Sequence, residues 1–135
     1  MQRVNSLDFG NSRWVLLTLT MRDIPINDLR ATLKEMNRAW QRLIELKCWP
    51  AMGFIRSTEI TRRPNGYAHP HFHVLMLVPA SYFGKKYIPQ RSWIDLWQEA
   101  LRVDYSPNVD IRVIKRKIIE DPETGEKRYL APVEA

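Results

Sequence analysis

The stretch AHPHFHVLML, Ala68 to Leu77, holds all three histidines of a 135-residue chain. They alternate with Pro70 and Phe72 before an apolar run begins. Alternate side chains of a β-strand share a face. His71 and His73 therefore point one way, and Phe72, Val74 and Met76 the other. If the apolar three pack under helices, the two histidines stand on the opposite, open face of a sheet. The fold turns on whether the neighbouring segments supply such a sheet and such helices.

They do. Upstream, Asn65-Gly66 in RPNGYAHP marks a hairpin turn, and GFIRSTEITR (Gly53–Arg62) reads as the strand that pairs through it. WVLLTLT (Trp14–Thr20) is a continuous apolar and β-branched run, suited to a central strand. Between these two lies NDLRATLKEMNRAWQRLIEL, where Leu29, Leu33, Met36, Trp40, Leu43 and Ile44 fall on one helical face, with Asn27 or Asp28 as N-cap. Downstream, Pro79 stops the histidine strand. RSWIDLWQEAL then reads as a second helix, with a capping-box spacing from Ser92 to Asp95 and a stripe of Trp93, Leu96, Trp97, Ala100 and Leu101. VDIRVIK (Val109–Lys115) alternates Val109, Ile111 and Val113 inward with Asp110 and Arg112 outward, as a fourth strand. The order β-α-β-β-α-β predicts an α+β, ferredoxin-like or RRM-like fold: an antiparallel sheet with helices on one face and the histidines on the other, strands one and three central. After Lys115 the pattern fails. IIEDPETGEKRY reads as an exposed turn around Pro122 to Gly125, and LAPVEA stops without a signal. The expected organisation is one domain over 1–135, with a core of about 14–115 and a tail of 116–135.

Composition narrows the function classes. Lysine and arginine number 21 against 15 acids, a net charge of +6, which favours a polyanionic partner. No apolar run is long enough to cross a bilayer and the opening residues are polar, so no membrane role and a cytoplasmic location are expected. The single Cys48, between Lys47 and Trp49, can form no internal disulfide and has no activating context. It reads as a structural or surface thiol. Trp40, Trp93 and Trp97 sit on helical stripes and read as core.

Two imidazoles at i, i+2 on a strand can chelate one divalent ion, with one or two further ligands from a neighbour. Glu59 is the only carboxylate of the paired strand. It shares the histidine face only if its number and that of its partner sum to an even value. A two-residue Asn-Gly turn would set Glu59 opposite Phe72 and turn it away; a three-residue or bulged turn keeps it with His71 or His73. A lone strand histidine is more often an ordinary surface residue, but two on one face beside a carboxylate favour ligands. The metal set expected is thus His71, His73 and Glu59, of mixed nitrogen and oxygen character suited to Mn²⁺ or Mg²⁺ as well as Zn²⁺. His69 shares the parity of the pair. With Arg62 and Arg63 it is expected to support the ligands or contact phosphate groups of a polyanionic partner.

PHFHV resembles the His-hydrophobe-His motif of HUH endonucleases. The succession WVLLTLTMRD, KEMNRAWQRLI, GFIRSTEITR, HPHFHVLMLVP and WIDLWQEALRVDYSPNVDIRVIK resembles plasmid rolling-circle replication initiators of the Rep_1 type over about Trp14 to Lys115. This resemblance implies site-specific nicking and joining of single-stranded or hairpin origin DNA through a 5′-phosphotyrosine. It implies a divalent metal, Mn²⁺ or Mg²⁺, at His71 and His73, and leaves host replication proteins open as further partners. The family's nucleophile lies in a Lys-Tyr-x-x-Lys-type helix after the fourth strand, and this sequence contains no such motif. Tyr129, in Arg128-Tyr129-Leu130, is the nearest in order and a weak candidate. The chain is therefore expected to be incomplete at its C-terminus and to form no covalent adduct alone. Two alternatives remain open: a non-catalytic RRM-like nucleic-acid module, which would lack its aromatic signature, and an HUH transposase or relaxase, against which the LLTLT and WQEALRVDY segments argue.

Overall fold

The computed structural model describes residues 11–120, 122–125 and 127–134, with side chains at 11–115 and 122–125. Its strands are β1 (Arg13–Thr20), a two-residue β2 (Ile24–Pro25), β3 (Gly53–Arg63), β4 (Tyr67–Val78), β5 (Val109–Glu120) and β6 (Lys127–Glu134). Its helices are α1 (Leu29–Ile44) and α2 (Gln90–Leu101). Every pairing is antiparallel. Across the sheet the four long strands run β3-β4-β1-β5, so β1 and β4 are central. This is the expected ferredoxin-like arrangement, with β2 and β6 added at its margins.

The register explains why central strands need apolar residues on one face only. Val15 pairs with Met76, Leu17 with Val74 and Leu19 with Phe72, and all six are fully buried. Partners across an antiparallel pair project to the same face. These six therefore form one apolar floor, which Ile111 and Val113 of β5 extend beside Leu17 and Val15. Met36, Ala39, Trp40 and Leu43 of α1 cover that floor, as do Trp93, Trp97, Ala100 and Leu101 of α2. Trp93 and Trp97 bury their rings without orphaning their indole N–H groups. Trp93 Nε1 donates to Tyr82 Oη at 3.1 Å, and Trp97 Nε1 donates to the Thr20 carbonyl at 2.8 Å. The second bond fastens α2 to the end of β1, beside His71 in register. At the sheet margin, the Arg56 guanidinium lies 4.2 Å from the Phe72 ring centroid and 5.4 Å from that of Trp40. Burial lowers its pKa.

Three local expectations change. Ser92 does not cap α2: the helix starts at Gln90, Pro89 holds the N-cap position and no side chain caps it. The buried Ile88 sets this earlier start, its carbonyl accepting the Tyr82 hydroxyl at 3.3 Å. Asp28 occupies the N-cap of α1 but makes no side-chain capping bond, because a 3-10 turn over Ile26–Asp28 leads the chain in. Finally, the segment after Lys115 is not patternless. β5 continues to Glu120 and pairs with β6 after a turn that includes Gly125 at φ 76°. Pro122 to Gly125 is a turn, as expected, but the stretches on either side are strands. Their mixed charged and apolar residues carry no period-two contrast, so alternation could not reveal them.

Candidate metal centre

The β3–β4 hairpin decides which side chains meet. Arg63 pairs with Tyr67, which leaves Pro64, Asn65 and Gly66 as a three-residue connection. Asn65 (φ 62°, ψ 30°) and Gly66 (φ 77°) both adopt left-handed backbone, which asparagine and glycine accept at the lowest cost. The odd loop length fixes the parity: Glu59 pairs with His71, Ser57 with His73 and Thr61 with His69. The even-numbered neighbours Ala68, Pro70, Phe72, Val74 and Met76 are buried on the helix side. Glu59 thus shares the open face with both histidines.

There Glu59 Oε1 lies 2.7 Å from His73 Nε2 and 3.1 Å from His71 Nε2. One donor atom from each of Glu59, His71 and His73 falls within 4.8 Å of the others. The donor set suits a borderline or hard divalent cation. Two ligands at right angles about an ion with bonds of about 2.1 Å stand about 3 Å apart, close to both carboxylate–imidazole separations. The site is graded in exposure: the side chain of His71 is 14% exposed, that of His73 36% and that of Glu59 59%. Burial pushes the His71 pKa down, partly opposed by the Glu59 charge, which favours the neutral imidazole that a metal requires. Glu59 is also held below its ordinary value, chiefly by its hydrogen bond with His73.

Neighbours orient this set. Thr18 Oγ1 of β1, opposite His73 in register, lies 3.4 Å from its Nδ1, and Thr61 Oγ1 lies 3.3 Å from His71 Nε2. In this arrangement His73 Nε2–H donates to Glu59 and Nδ1 accepts from the Thr18 hydroxyl. A cation at Nε2 would require the other tautomer, with Nδ1–H donating to Thr18 Oγ1, as in histidine ligands generally. His69 stands apart from the three. Its Nδ1 lies 2.7 Å from Asp23 Oδ1, the shortest contact of this group, and 3.3 Å from Arg63 Nη2. Nδ1 cannot donate to Asp23 and accept from Arg63 at once, so the carboxylate contact sets the tautomer and leaves Nε2 as the acceptor. Arg63 also pairs with Asp23, Nε to Oδ1 at 3.4 Å.

Glu59, His71 and His73 therefore come together. His69 and Arg63 lie on the same face, linked through Asp23. Arg62 pairs with the buried Ala68 and by parity projects to the helix side, away from the cluster. Tyr129 pairs with Ile118 on β6, and its side chain lies outside the described residues. Tyr67, read from sequence as part of the turn, is the first residue of β4; it is 42% exposed and on the histidine face. Sequence reasoning missed Asp23, Thr18 and Thr61. Thr61 carried a usable signal, since its parity matches that of Glu59. Asp23 had none, because only the short β2 pairing of Ile24 with Ala68 brings its loop beside His69.

Comparison with known proteins places the chain. Residues 1–131 match the family Rep_1, described as replication protein. A "Protein rep" of Bacillus amyloliquefaciens is 41% identical over 113 residues, which cover 82% of this chain and 33% of that protein. A "Protein rep" of Streptococcus pneumoniae is 39% identical over 109 residues, covering 76% and 34%. A "Replication protein" of Staphylococcus aureus is 35% identical over 112 residues, covering 78% and 47%. The chain spans between a third and a half of the length of these relatives. With the family match running over nearly its whole length, the chain belongs to the Rep_1 family of replication proteins.

Proposed function

We propose that this chain is the metal- and DNA-binding part of a plasmid rolling-circle replication initiator, which nicks and rejoins single-stranded or hairpin origin DNA. The observation that carries the reading is the convergence of Glu59, His71 and His73 on the open face of a basic Rep_1 chain. Glu59, His71 and His73 hold a divalent cation, Mn²⁺ or Mg²⁺. When bound, that ion supplies Lewis-acid polarisation of a phosphate oxygen. Thr18 fixes the His73 ring. Asp23 orients His69 and the adjacent Arg63, whose guanidinium N–H groups donate to phosphates of the same strand. The reaction class is transesterification: a tyrosine oxygen bonds to phosphorus as the P–O3′ bond breaks, leaving a 5′-phosphotyrosine and a free 3′-hydroxyl. Tyr129 is the weak candidate for that nucleophile within this sequence; the Lys-Tyr-x-x-Lys motif is absent from it. The chain acts as a single domain in the cytoplasm, with host replication proteins as further partners. Among the described residues, no helix is long and apolar enough to cross a membrane.

The test is calorimetric titration with Mn²⁺, paired with fluorescence anisotropy of a labelled single-stranded origin oligonucleotide. About one site per chain is expected. DNA affinity should fall steeply with salt, because phosphate contacts release counterions. Equal Mn²⁺ binding by the His71→Ala, His73→Ala double variant would remove the metal assignment.

A further inference from the structure

A second cleft lies on the other side of the sheet. Its volume is about 480 Å³, and it is lined by Lys47, Cys48, Trp49, Lys85, Lys86 and Tyr87 among others. Its floor is rigid: Tyr82 is buried, donates its hydroxyl proton to the Ile88 carbonyl and accepts from Trp93 Nε1. Pro79, just past the end of β4, also lines it. Six residues of extended chain separate Pro79 from His73, roughly 20 Å at about 3.3 Å per residue. Tyr82, Ile88 and Trp49 belong to or pack against the core between sheet and helices, so this cleft opens on the helix side. It is separate from the metal centre.

Its chemistry is specific. Tyr87 is 55% exposed, yet its ring is set edge-on against Tyr82 at 5.7 Å between centroids. It is a large aromatic surface presented to solvent at a fixed angle. Lys47, Lys85 and Lys86 form no ion pair among the described residues. Unpaired cations beside an exposed aromatic ring on a rigid apolar floor are the two components of a single-strand nucleic-acid site: charges that track phosphates and a ring on which a base stacks. The volume is that of pockets holding a nucleotide-sized group. An adjoining hollow shares Cys48 and Tyr87 but is lined by Asp95 and Glu99, whose charge repels phosphate. The strand therefore crosses on the lysine side.

We propose that this cleft binds single-stranded DNA flanking the segment held at the metal centre, with one base stacked on Tyr87 and its phosphates on Lys85, Lys86 and Lys47. The identity of the strand rests on the function proposed above; the cleft itself does not involve the metal ligands.

Cys48 is the only cysteine, is exposed and lines the cleft, so its alkylation reports on occupancy. The rate of N-ethylmaleimide labelling would be measured on the full chain with Mn²⁺, alone, with dTMP, and with an origin oligonucleotide carrying a flank of about ten nucleotides. At about 3.4 Å per nucleotide that flank exceeds the separation of the two sites. The oligonucleotide is expected to slow labelling at least fivefold and dTMP at the same concentration to leave it unchanged. Protection should vanish in Lys85→Ala, Lys86→Ala and in Tyr87→Ala. Circular dichroism of each variant confirms that it is folded. Tyr87→Phe, which keeps the ring, should retain protection. Oligonucleotide binding that needs the histidines but leaves Cys48 labelling unchanged overturns the cleft and spares the proposed function. Cleft-dependent protection with no Mn²⁺ binding does the reverse. Protection by dTMP equal to that by the oligonucleotide overturns the strand assignment.

Discussion

The two faces of β4 part company between Ala68 and Met76. On the helix side Ala68, Pro70, Phe72, Val74 and Met76 are buried among apolar neighbours. On the open side His69, His71 and His73 retain partial exposure, and each has a carboxylate partner, Asp23 or Glu59. One face gains its free energy from removing apolar surface from water. The other leaves imidazoles and carboxylates partly exposed, as the cation and phosphate contacts proposed above require. A strand can carry both tasks because successive side chains alternate strictly. Stability and function should therefore separate by parity, and substitutions can test that separation.

The largest effect should come from His71→Ala, His73→Ala. Mn²⁺ binding in calorimetry should disappear, while urea denaturation of the metal-free protein changes by less than about 1 kcal/mol. Loss of folding in that variant would mean that the open face is structural after all. The converse substitution is Phe72→Ala, one residue away on the buried face. Removing a fully buried aromatic ring should cost about 3–5 kcal/mol in denaturant unfolding. Mn²⁺ affinity measured well below the transition should stay within a few-fold of wild type. An isolated loss of metal binding with native stability would break the comparison.

Glu59→Gln should sharpen it. The amide keeps the shape but removes the charge, so Mn²⁺ affinity should fall by roughly one to two orders of magnitude. Thr18→Val, which leaves His73 Nδ1 without its hydroxyl, should weaken metal binding by about tenfold. No change on titration would mean that Thr18 does not orient the ring.

The smallest effect is a dependence on pH. His71 has a folded-state pKa below its ordinary 6.5, mainly through burial. Its contribution to stability is present above 6.5 and is lost as pH falls through the lowered value. Glu59 behaves alike, its contribution present above 4.5 and lost below as the carboxylate protonates. The metal-free protein should therefore lose thermal stability in two stages on acidification. The upper stage should be missing in His71→Asn. A melting temperature that rises as pH falls from 7 to 5 would contradict the sign.

Much of this was legible in the amino-acid order. WVLLTLT, the Met36-Trp40-Leu43 stripe and the Trp93-Trp97 stripe announce themselves because burial demands a period that matches the element. His71 and His73 were readable as a pair, since alternate strand residues share a face; Glu59 joined them only on the condition of an odd or bulged turn. The β5–β6 hairpin was not readable, because its residues carry no contrast between faces. Ser92 was misread as a cap because the start of α2 is set by the burial of Ile88 and by Pro89, not by local capping chemistry.

By itself, the sequence determined the order of the four long strands and two helices and the apolar face of each, which follow from short-range periodicity, and it supplied the residue types at the site. Only the tertiary structure decided the register. Three residues between Arg63 and Tyr67, two in left-handed backbone, put Glu59 against the histidines instead of against Phe72. Only the folded chain brought Asp23 to His69 across 46 positions and Thr18 to His73 across 55. Those contacts depend on the exact register of the paired strands and on where the loop before β2 comes to lie, and short-range periodicity encodes neither.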